Sequence, residues 1–130
     1  MKIIGVLLFS VLLISCNNDE NCSNSVCTEE FRTITVSISD SEGNPVALDT
    51  FDVIIVSTSE NITQRLDQNF DLDSNDYPIM NDSFTSEIDK KEITVRFTGK
   101  LNEQTVTEDY IVSADCCHTF LVSGKTSLSI

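Results

Sequence analysis

Residues 31–39 read FRTITVSIS and decide the fold of this chain. The apolar side chains of Ile34, Val36 and Ile38 alternate with threonine and serine, which is the period of a strand with one face in a core. The next six residues read DSEGNP, whose glycine can take a positive φ and whose proline has no N–H to offer a β-ladder. The pattern therefore predicts a β-strand that ends in a turn.

Further strand patterns follow along the chain. Residues 53–56 (VIIV) form an apolar run that predicts a strand buried on both faces, and residues 93–98 (ITVRFT) alternate. No segment after residue 16 has the i, i+3, i+4, i+7 spacing of an apolar helix face. The pattern predicts all-β structure, a single antiparallel β-sandwich of about seven or eight strands over residues 31–130. The candidate strands are 31–39, 51–59, 61–66, 77–80, 83–88, 93–99, 105–113, 116–122 and 126–130, with an acidic loop at 67–76.

Residues 33–46 resemble the opening of carboxypeptidase regulatory-like domains, which have a transthyretin-like fold. Members of that group begin with such a strand and continue with an Asp, a Gly and a Pro-Val pair, as Asp40, Gly43 and residues 45–46 do here. The group usually places small residues next, whereas residues 48–51 read LDTF, so the resemblance is to a divergent branch. It implies a non-catalytic module of a cell-surface protein and assigns no ligand site.

The first sixteen residues have the organisation of a secretory leader. Lys2 precedes an apolar run at 3–14, which is shorter than the roughly 20 residues of a membrane-spanning helix. The sequence LISC at 13–16 resembles the lipobox of bacterial lipoproteins. The resemblance implies removal of residues 1–15 and a lipid on Cys16, a diacylglycerol plus an acylated amine, with acyl chains such as palmitate. Several such chains together hold a protein on a membrane. A plain signal peptide cut elsewhere is the alternative.

Residues 17–21 (NNDEN) are polar and acidic and predict a tether, so that residues 16–30 comprise the lipidated cysteine and its tether. Their placement resembles the acidic export signal of Bacteroidetes lipoproteins, which directs them to the outer face of the outer membrane. The resemblance implies an outer-membrane lipoprotein of the cell envelope that faces the exterior. A solvated linker is the alternative reading.

Charge restricts the partners of this chain. Removal of residues 1–15 leaves 115 residues, enough for one domain, with 7 basic against 21 acidic residues and a formal net charge of −14. Such a chain lacks the cationic stripe that binds nucleic-acid phosphates and is not attracted to anionic lipid. We therefore expect no nucleic acid as partner. The expected partners are the membrane, through the lipid anchor, and another cell-surface protein or a glycan.

Four cysteines follow the anchor, namely Cys22, Cys27, Cys116 and Cys117. Disulfides persist outside the cytoplasm, and four cysteines allow three pairings between which the sequence does not choose. Neighbouring side chains of a strand point to opposite faces, so Cys116 and Cys117 on the predicted strand 116–122 should not reach the same place. Joining each of them to one of the earlier pair would fasten the N-terminal segment to that strand and close loops of about 90 residues.

Two metal sites are conceivable. Asp71, Asp73, Asn75 and Asp82 loosely imitate a twelve-residue calcium loop, although the sixth position is Asp76 instead of glycine and the twelfth is Asp instead of Glu. A solvated acidic loop is the alternative.

His118, the only histidine, could join the four cysteines as a zinc or copper ligand. C-x-x-C spacing is absent, however, and oxidised cysteines cannot ligate a metal. His118 is therefore predicted to be a packed or hydrogen-bonded strand residue.

Catalysis has little support in the sequence. With three glycines after the leader, the chain has neither a phosphate-binding loop nor a nucleophile elbow, and His118 beside a predicted disulfide is a poor base. We expect a non-catalytic, membrane-anchored surface lipoprotein that serves as a binding or structural module and needs no cofactor. The alternative is a metal-binding accessory lipoprotein for calcium, or for zinc or copper.

Overall fold

The computed structural model describes residues 22–66 and 75–130, which form an all-β sandwich of eight strands in two sheets. The predicted fold class is confirmed. The strands are β1 (Thr33–Ser39), β2 (Thr50–Ile55), β3 (Glu60–Asn61), β4 (Asp76–Asn81), β5 (Ile93–Leu101), β6 (Gln104–Ala114), β7 (Thr119–Ser123) and β8 (Ser127–Ser129). One sheet has the order β4-β1-β8 and the other the order β3-β2-β5-β6-β7.

β1 lies at the centre of the three-stranded sheet, as its alternating pattern favours. Val36 and Ile38 are fully buried, and Ile34 packs partly buried against the same core. β4 pairs with β1 antiparallel, but β8 pairs with it parallel. The prediction of a purely antiparallel sandwich is wrong at this one ladder, because the chain arrives at β8 from β7 in the other sheet and not through a hairpin from β1.

β2 is buried on one face only, which corrects the prediction from its apolar run. Val53 and Ile55 belong to the core, Ile54 is half-buried, and Val56 lies beyond the strand with 39% of its surface exposed. An antiparallel sheet in a sandwich packs one face on the core and leaves the other to solvent, so a continuous apolar run is not needed there.

Aromatic side chains fill the middle of the core. The rings of Phe51 and Tyr77 meet edge to face with centroids 5.1 Å apart, and Tyr77 and Phe97 lie 6.1 Å apart. Tyr77 is fully buried and its hydroxyl accepts a hydrogen bond from the backbone N–H of Leu48. These rings come from β2, β4 and β5 and so join the two sheets.

The strand predicted at 61–66 is wrong beyond its first residue. β3 ends at Asn61, and Thr63–Leu66 forms a single helical turn, α1. The side-chain oxygen of Asn61 accepts the N–H of Thr63 at 3.0 Å. Such local side-chain bonds offer the backbone an alternative to a ladder.

The strand predicted at 83–88 is also wrong. Asp82–Phe84 is a 3₁₀ turn and Thr85–Ile88 a one-turn helix, α2. Asn81 caps the turn, because its side chain accepts the N–H of Ser83 at 3.1 Å. Phe84 and Ile88 are buried, so the apolar residues of this segment reach the core from helical turns.

No helix in the described ranges is long and apolar enough to cross a bilayer.

The strand predicted at 116–122 begins later than expected. β7 starts at Thr119, and Cys116 and Cys117 lie in the turn between β6 and β7.

After β7 the chain bends at Gly124, whose φ is +131°, and crosses to β8 in the other sheet. This corner is held by Tyr110, whose hydroxyl donates to the carbonyl of Lys125 at 2.7 Å.

Candidate functional site

Three parts of the chain meet at one end of the sandwich, and we call this place the junction. They are the lead-in (residues 22–32), the 3₁₀ turn after β4, and the β6–β7 turn (residues 115–118). Two disulfides, Cys22–Cys116 and Cys27–Cys117, join the lead-in to the β6–β7 turn, with Cα–Cα distances of 5.2 and 5.3 Å. They close loops with sequence separations of 94 and 90 residues. Each of the two neighbouring cysteines is joined to one lead-in cysteine, the kind of pairing considered from the sequence.

The β6–β7 turn is built by Asp115. Its Oδ1 accepts the N–H groups of Cys117 and His118, both at 2.7 Å, and its own N–H donates to the carbonyl of His118. An Asp side chain that bonds its following backbone in this way stabilises a turn. The same two hydrogen bonds stabilise the ionised carboxylate and hold the pKa of Asp115 below its ordinary value.

Asp82 provides the central carboxylate of the junction. Its Oδ2 accepts the backbone N–H of Arg32 at 2.7 Å, and its Oδ1 accepts the backbone N–H of Thr119 at 2.8 Å and the Thr119 hydroxyl at 3.2 Å. The N–H of Asp82 donates in return to the carbonyl of Arg32. Only 8% of the Asp82 side chain is exposed. This carboxylate therefore joins the lead-in to β7.

Two opposing effects act on the pKa of Asp82. Burial raises it, but the hydrogen bonds from His118, Thr119 and Arg32 lower it by more, and the pKa lies below its ordinary value. Asp82 is thus ionised in the folded protein near neutral pH. A buried charge of this kind is tolerated because four protein donors surround it.

His118 is held between two partners. Its Nδ1 lies 2.7 Å from Oδ2 of Asp82, and its Nε2 lies 3.1 Å from the hydroxyl oxygen of Thr28. An ionised carboxylate only accepts, so Nδ1 of His118 donates to Asp82. His118 is buried and hydrogen-bonded, as predicted, although it lies just before β7 and not on the strand.

The order Asp82, His118, Thr28 is the order of groups in hydrolases of the Ser-His-Asp type. A cleft of about 430 Å³ lies beside the disulfides, with Cys22, Asp82 and both turn cysteines among its lining residues. Neither Thr28 nor His118 is among the residues that line this cleft. We interpret the three groups as a clamp that fixes the lead-in to the sandwich.

The residues predicted to bind calcium are only partly described. Both carboxylate oxygens of Asp82 accept hydrogen bonds within the junction. Asn75 is half-buried, and its carbonyl accepts the N–H of Ile38. Asp71 and Asp73 lie outside the described residues, as does the predicted lipidation site Cys16. The calcium loop therefore stays a prediction.

The zinc or copper alternative needs free thiolates. All four cysteines of the described ranges are in disulfides, which do not ligate metals while they stay oxidised. In residues 22–66 and 75–130 no group of three or more His, Cys, Asp or Glu side chains is placed to hold a metal ion.

Sequence reasoning did not find Thr28 or Thr119, and it assigned Asp82 to a different role. The signal that could have suggested a clamp is a lone His beside paired cysteines, since a buried imidazole requires partners. The carboxylate that binds the His118 imidazole cannot be predicted from neighbouring residues, because Asp82 lies 36 residues away in sequence.

No protein-family model, curated protein or solved structure matches this chain. The resemblances of residues 1–16 to a lipoprotein leader and of residues 33–46 to carboxypeptidase regulatory-like domains therefore remain predictions from those residues.

Proposed function

We propose that this protein is a non-catalytic surface lipoprotein, a β-sandwich head that is anchored in the outer membrane by lipid on Cys16 and serves as a binding or structural module facing the exterior. The observation that carries the proposal is the pair of disulfides. They attach the lead-in covalently to the head at Cys22, six residues after the predicted lipid.

The short distance in sequence has a mechanical consequence. Six residues span at most about 20 Å when fully extended, so the junction end of the sandwich is held close to the membrane and the opposite end points outwards. Without the two bridges, the free tether would run from Cys16 to the start of β1 at Thr33. The disulfides thus shorten the tether and give it a defined point of attachment at Cys22.

A membrane-tethered head also has to stay clear of the bilayer. After removal of residues 1–15, the formal net charge of −14 repels anionic lipid head groups over a Debye length of about 8 Å at physiological salt. The negative charge keeps the head from lying on the membrane surface, and the short disulfide-fixed attachment keeps it close to the membrane. Support for a non-catalytic role is the use of Asp82, His118 and Thr28 to hold the lead-in.

The test is to express the complete chain in a Gram-negative host of the Bacteroidetes type and to determine the mass and location of the product. We expect a processed chain that begins at Cys16, carries the mass of three acyl chains and is digested by protease added to intact cells. The Cys16→Ser variant should lose the lipid mass and the membrane fraction, whereas Ser15→Ala, which keeps a small residue before the cut, should retain both. An unmodified Cys16, or a product found soluble in the periplasm, would refute the proposal.

The metal-binding alternative is tested on the same purified protein. Calorimetric titration with calcium, zinc and copper should give no stoichiometric heat if the protein is a metal-independent module. A saturable heat with calcium that is lost in Asp71→Asn, or with zinc or copper that needs prior reduction, would favour the accessory role instead.

A further inference from the structure

The two disulfides of the junction differ in how they face the adjoining cleft. The cleft has a volume of about 430 Å³. Both residues of the Cys22–Cys116 bridge line it, whereas only Cys117 of the Cys27–Cys117 bridge does. A molecule in the cleft therefore faces both residues of the first bridge and one residue of the second.

The contacts around the two bridges also differ. No side chain of the 3₁₀ turn Cys22–Asn24 is buried, and Val26 is 97% exposed. Cys27, in contrast, directly precedes Thr28, whose hydroxyl bonds to the buried His118. If its bridge opens, Cys27 stays near its former partner at high effective concentration, so the bridge closes again readily. Cys22 lies six residues before Thr28 and is held less closely.

We propose that Cys22–Cys116 is a thiol–disulfide exchange site for a dithiol that enters the cleft, while Cys27–Cys117 is the permanent bridge. Accessible disulfides are generally the labile ones, whereas well-supported structural disulfides resist reduction. The two bridges follow one another along the lead-in, so the first can open while the second still fixes the lead-in to the sandwich.

The charges around the cleft allow a thiolate to enter. Lys90 is among the lining residues, and a nearby cation favours the thiolate form of a thiol, which is the form that attacks a disulfide. Asp89 has the opposite charge, but its carboxylate lies 4.0 Å from the ammonium group of Lys91. Both oxygens of the third charged lining residue, Asp82, accept hydrogen bonds within the junction.

The exchange takes place in two steps. One thiolate of the dithiol attacks a sulfur of the Cys22–Cys116 bridge, which forms a mixed disulfide and releases the other cysteine as a thiolate. The second thiolate of the dithiol then attacks the mixed disulfide and releases the remaining cysteine. Two electrons pass from the dithiol, which becomes a disulfide, to the bridge, and the two protons of the dithiol end on Cys22 and Cys116.

Reduction of the first bridge lengthens the tether without detaching the head. The first point of attachment moves from Cys22 to Cys27, so the tether after Cys16 grows from six to eleven residues. Its full extension rises from about 20 Å to about 40 Å. This consequence, unlike the exchange itself, rests on the proposed lipid on Cys16.

The experiment is stepwise reduction of the complete chain in mild detergent with dithiothreitol as the dithiol. Samples taken over time are quenched with acid, alkylated and mapped by mass spectrometry. We expect Cys22 and Cys116 to become alkylated about tenfold faster than Cys27 and Cys117. Equal rates at the two bridges, or earlier opening of Cys27–Cys117, would overturn the proposal.

The role of the cleft is tested by filling it. Ser86 is an exposed lining residue, and Ser86→Trp should slow the opening of Cys22–Cys116 about fivefold because access to the sulfur atoms decides the rate. Ser41→Trp, at an exposed serine in the turn after β1, is the matched control and should open as wild type does. Thermal unfolding verifies that both variants are folded. An unchanged rate in Ser86→Trp would show that the dithiol does not use the cleft.

Release of the lead-in is measured by hydrogen exchange. Reduction of the first bridge should raise the exchange of amides in residues 22–26 several-fold and leave Arg32, whose N–H donates to Asp82, protected. Cys22→Ser/Cys116→Ser should show the same pattern without dithiol. Unchanged exchange in residues 22–26 would refute the release. None of these readouts requires lipid on Cys16, so failure of the exchange site and failure of the proposed anchor are distinguishable.

Discussion

Nδ1 of His118 lies 2.7 Å from Oδ2 of Asp82, a carboxylate that precedes it by 36 residues. Both side chains are at least nine-tenths buried, and the contact lies beneath the point where the lead-in is attached to the sandwich by two disulfides. The hydrogen bond between His118 and Asp82 therefore connects the attached lead-in to the sandwich. Its loss should weaken both the attachment of the lead-in and the stability of the sandwich.

Replacement of Asp82 should be strongly destabilising. Asp82→Ala leaves the N–H groups of Arg32 and Thr119 and the Nδ1–H of His118 without their acceptor, which we expect to cost about 3 kcal/mol of unfolding free energy. Chemical denaturation measures this. Asp109→Asn, which removes a carboxylate paired with Arg96 on the surface, is the control and should have a small effect. Equal losses in the two variants would contradict the central role of Asp82.

The contribution of Asp82 should depend on pH in a defined direction. Because its folded pKa lies below its ordinary value of 3.8, its stabilising effect is complete above that value and is lost as the pH falls through the folded pKa. The difference in unfolding free energy between wild type and Asp82→Asn should therefore be constant above about pH 5 and shrink below pH 4. A difference that grows on acidification would show that the carboxylate is not stabilised in the ionised form.

Each disulfide should stabilise the fold measurably. Loops of 94 and 90 residues correspond to about 2–4 kcal/mol per bridge, and 1 kcal/mol shifts the melting temperature of a domain of this size by about 4–8 °C. The double variants Cys22→Ala/Cys116→Ala and Cys27→Ala/Cys117→Ala separate the two bridges in calorimetry. We expect the second to cost more, because Cys27 lies next to Thr28, which binds His118. Non-reducing peptide mapping that joins Cys22 to Cys117 would contradict the pairing.

The corner between β7 and β8 should not tolerate a side chain at Gly124. A Cβ there would overlap the ring of the fully buried Tyr110, and the φ of +131° is strained for any L-residue. Gly124→Ala should cost about 2–4 kcal/mol. Gly43→Ala is the matched control, since φ is also positive but no atom lies within 4 Å of the added carbon. It should cost about 1 kcal/mol. Similar melting temperatures for the two variants would argue against this corner.

Much of the architecture could be predicted because strand alternation is a local signal. The pattern around Ile34, Val36 and Ile38 predicted β1, and those of β5, β6 and β8 were found in the same way. The helical turn at Thr63–Leu66 and the 3₁₀ turn at Asp82–Phe84 were missed because side-chain hydrogen bonds of Asn61 and Asn81 favour a turn in short apolar stretches that otherwise resemble strands. Whether a four-residue segment turns or extends depends on such single bonds.

The sequence by itself determined the all-β class, the one-sided burial of β1 and the four cysteines that are available for pairing in residues 22–130. Only the tertiary structure decided which cysteines pair, that β8 lies parallel to β1, and that Asp82 serves His118. The physical reason is the distance along the sequence between the residues that interact. Side-chain alternation acts between neighbours along the chain, whereas these contacts join residues dozens of positions apart and form only once the two sheets have packed.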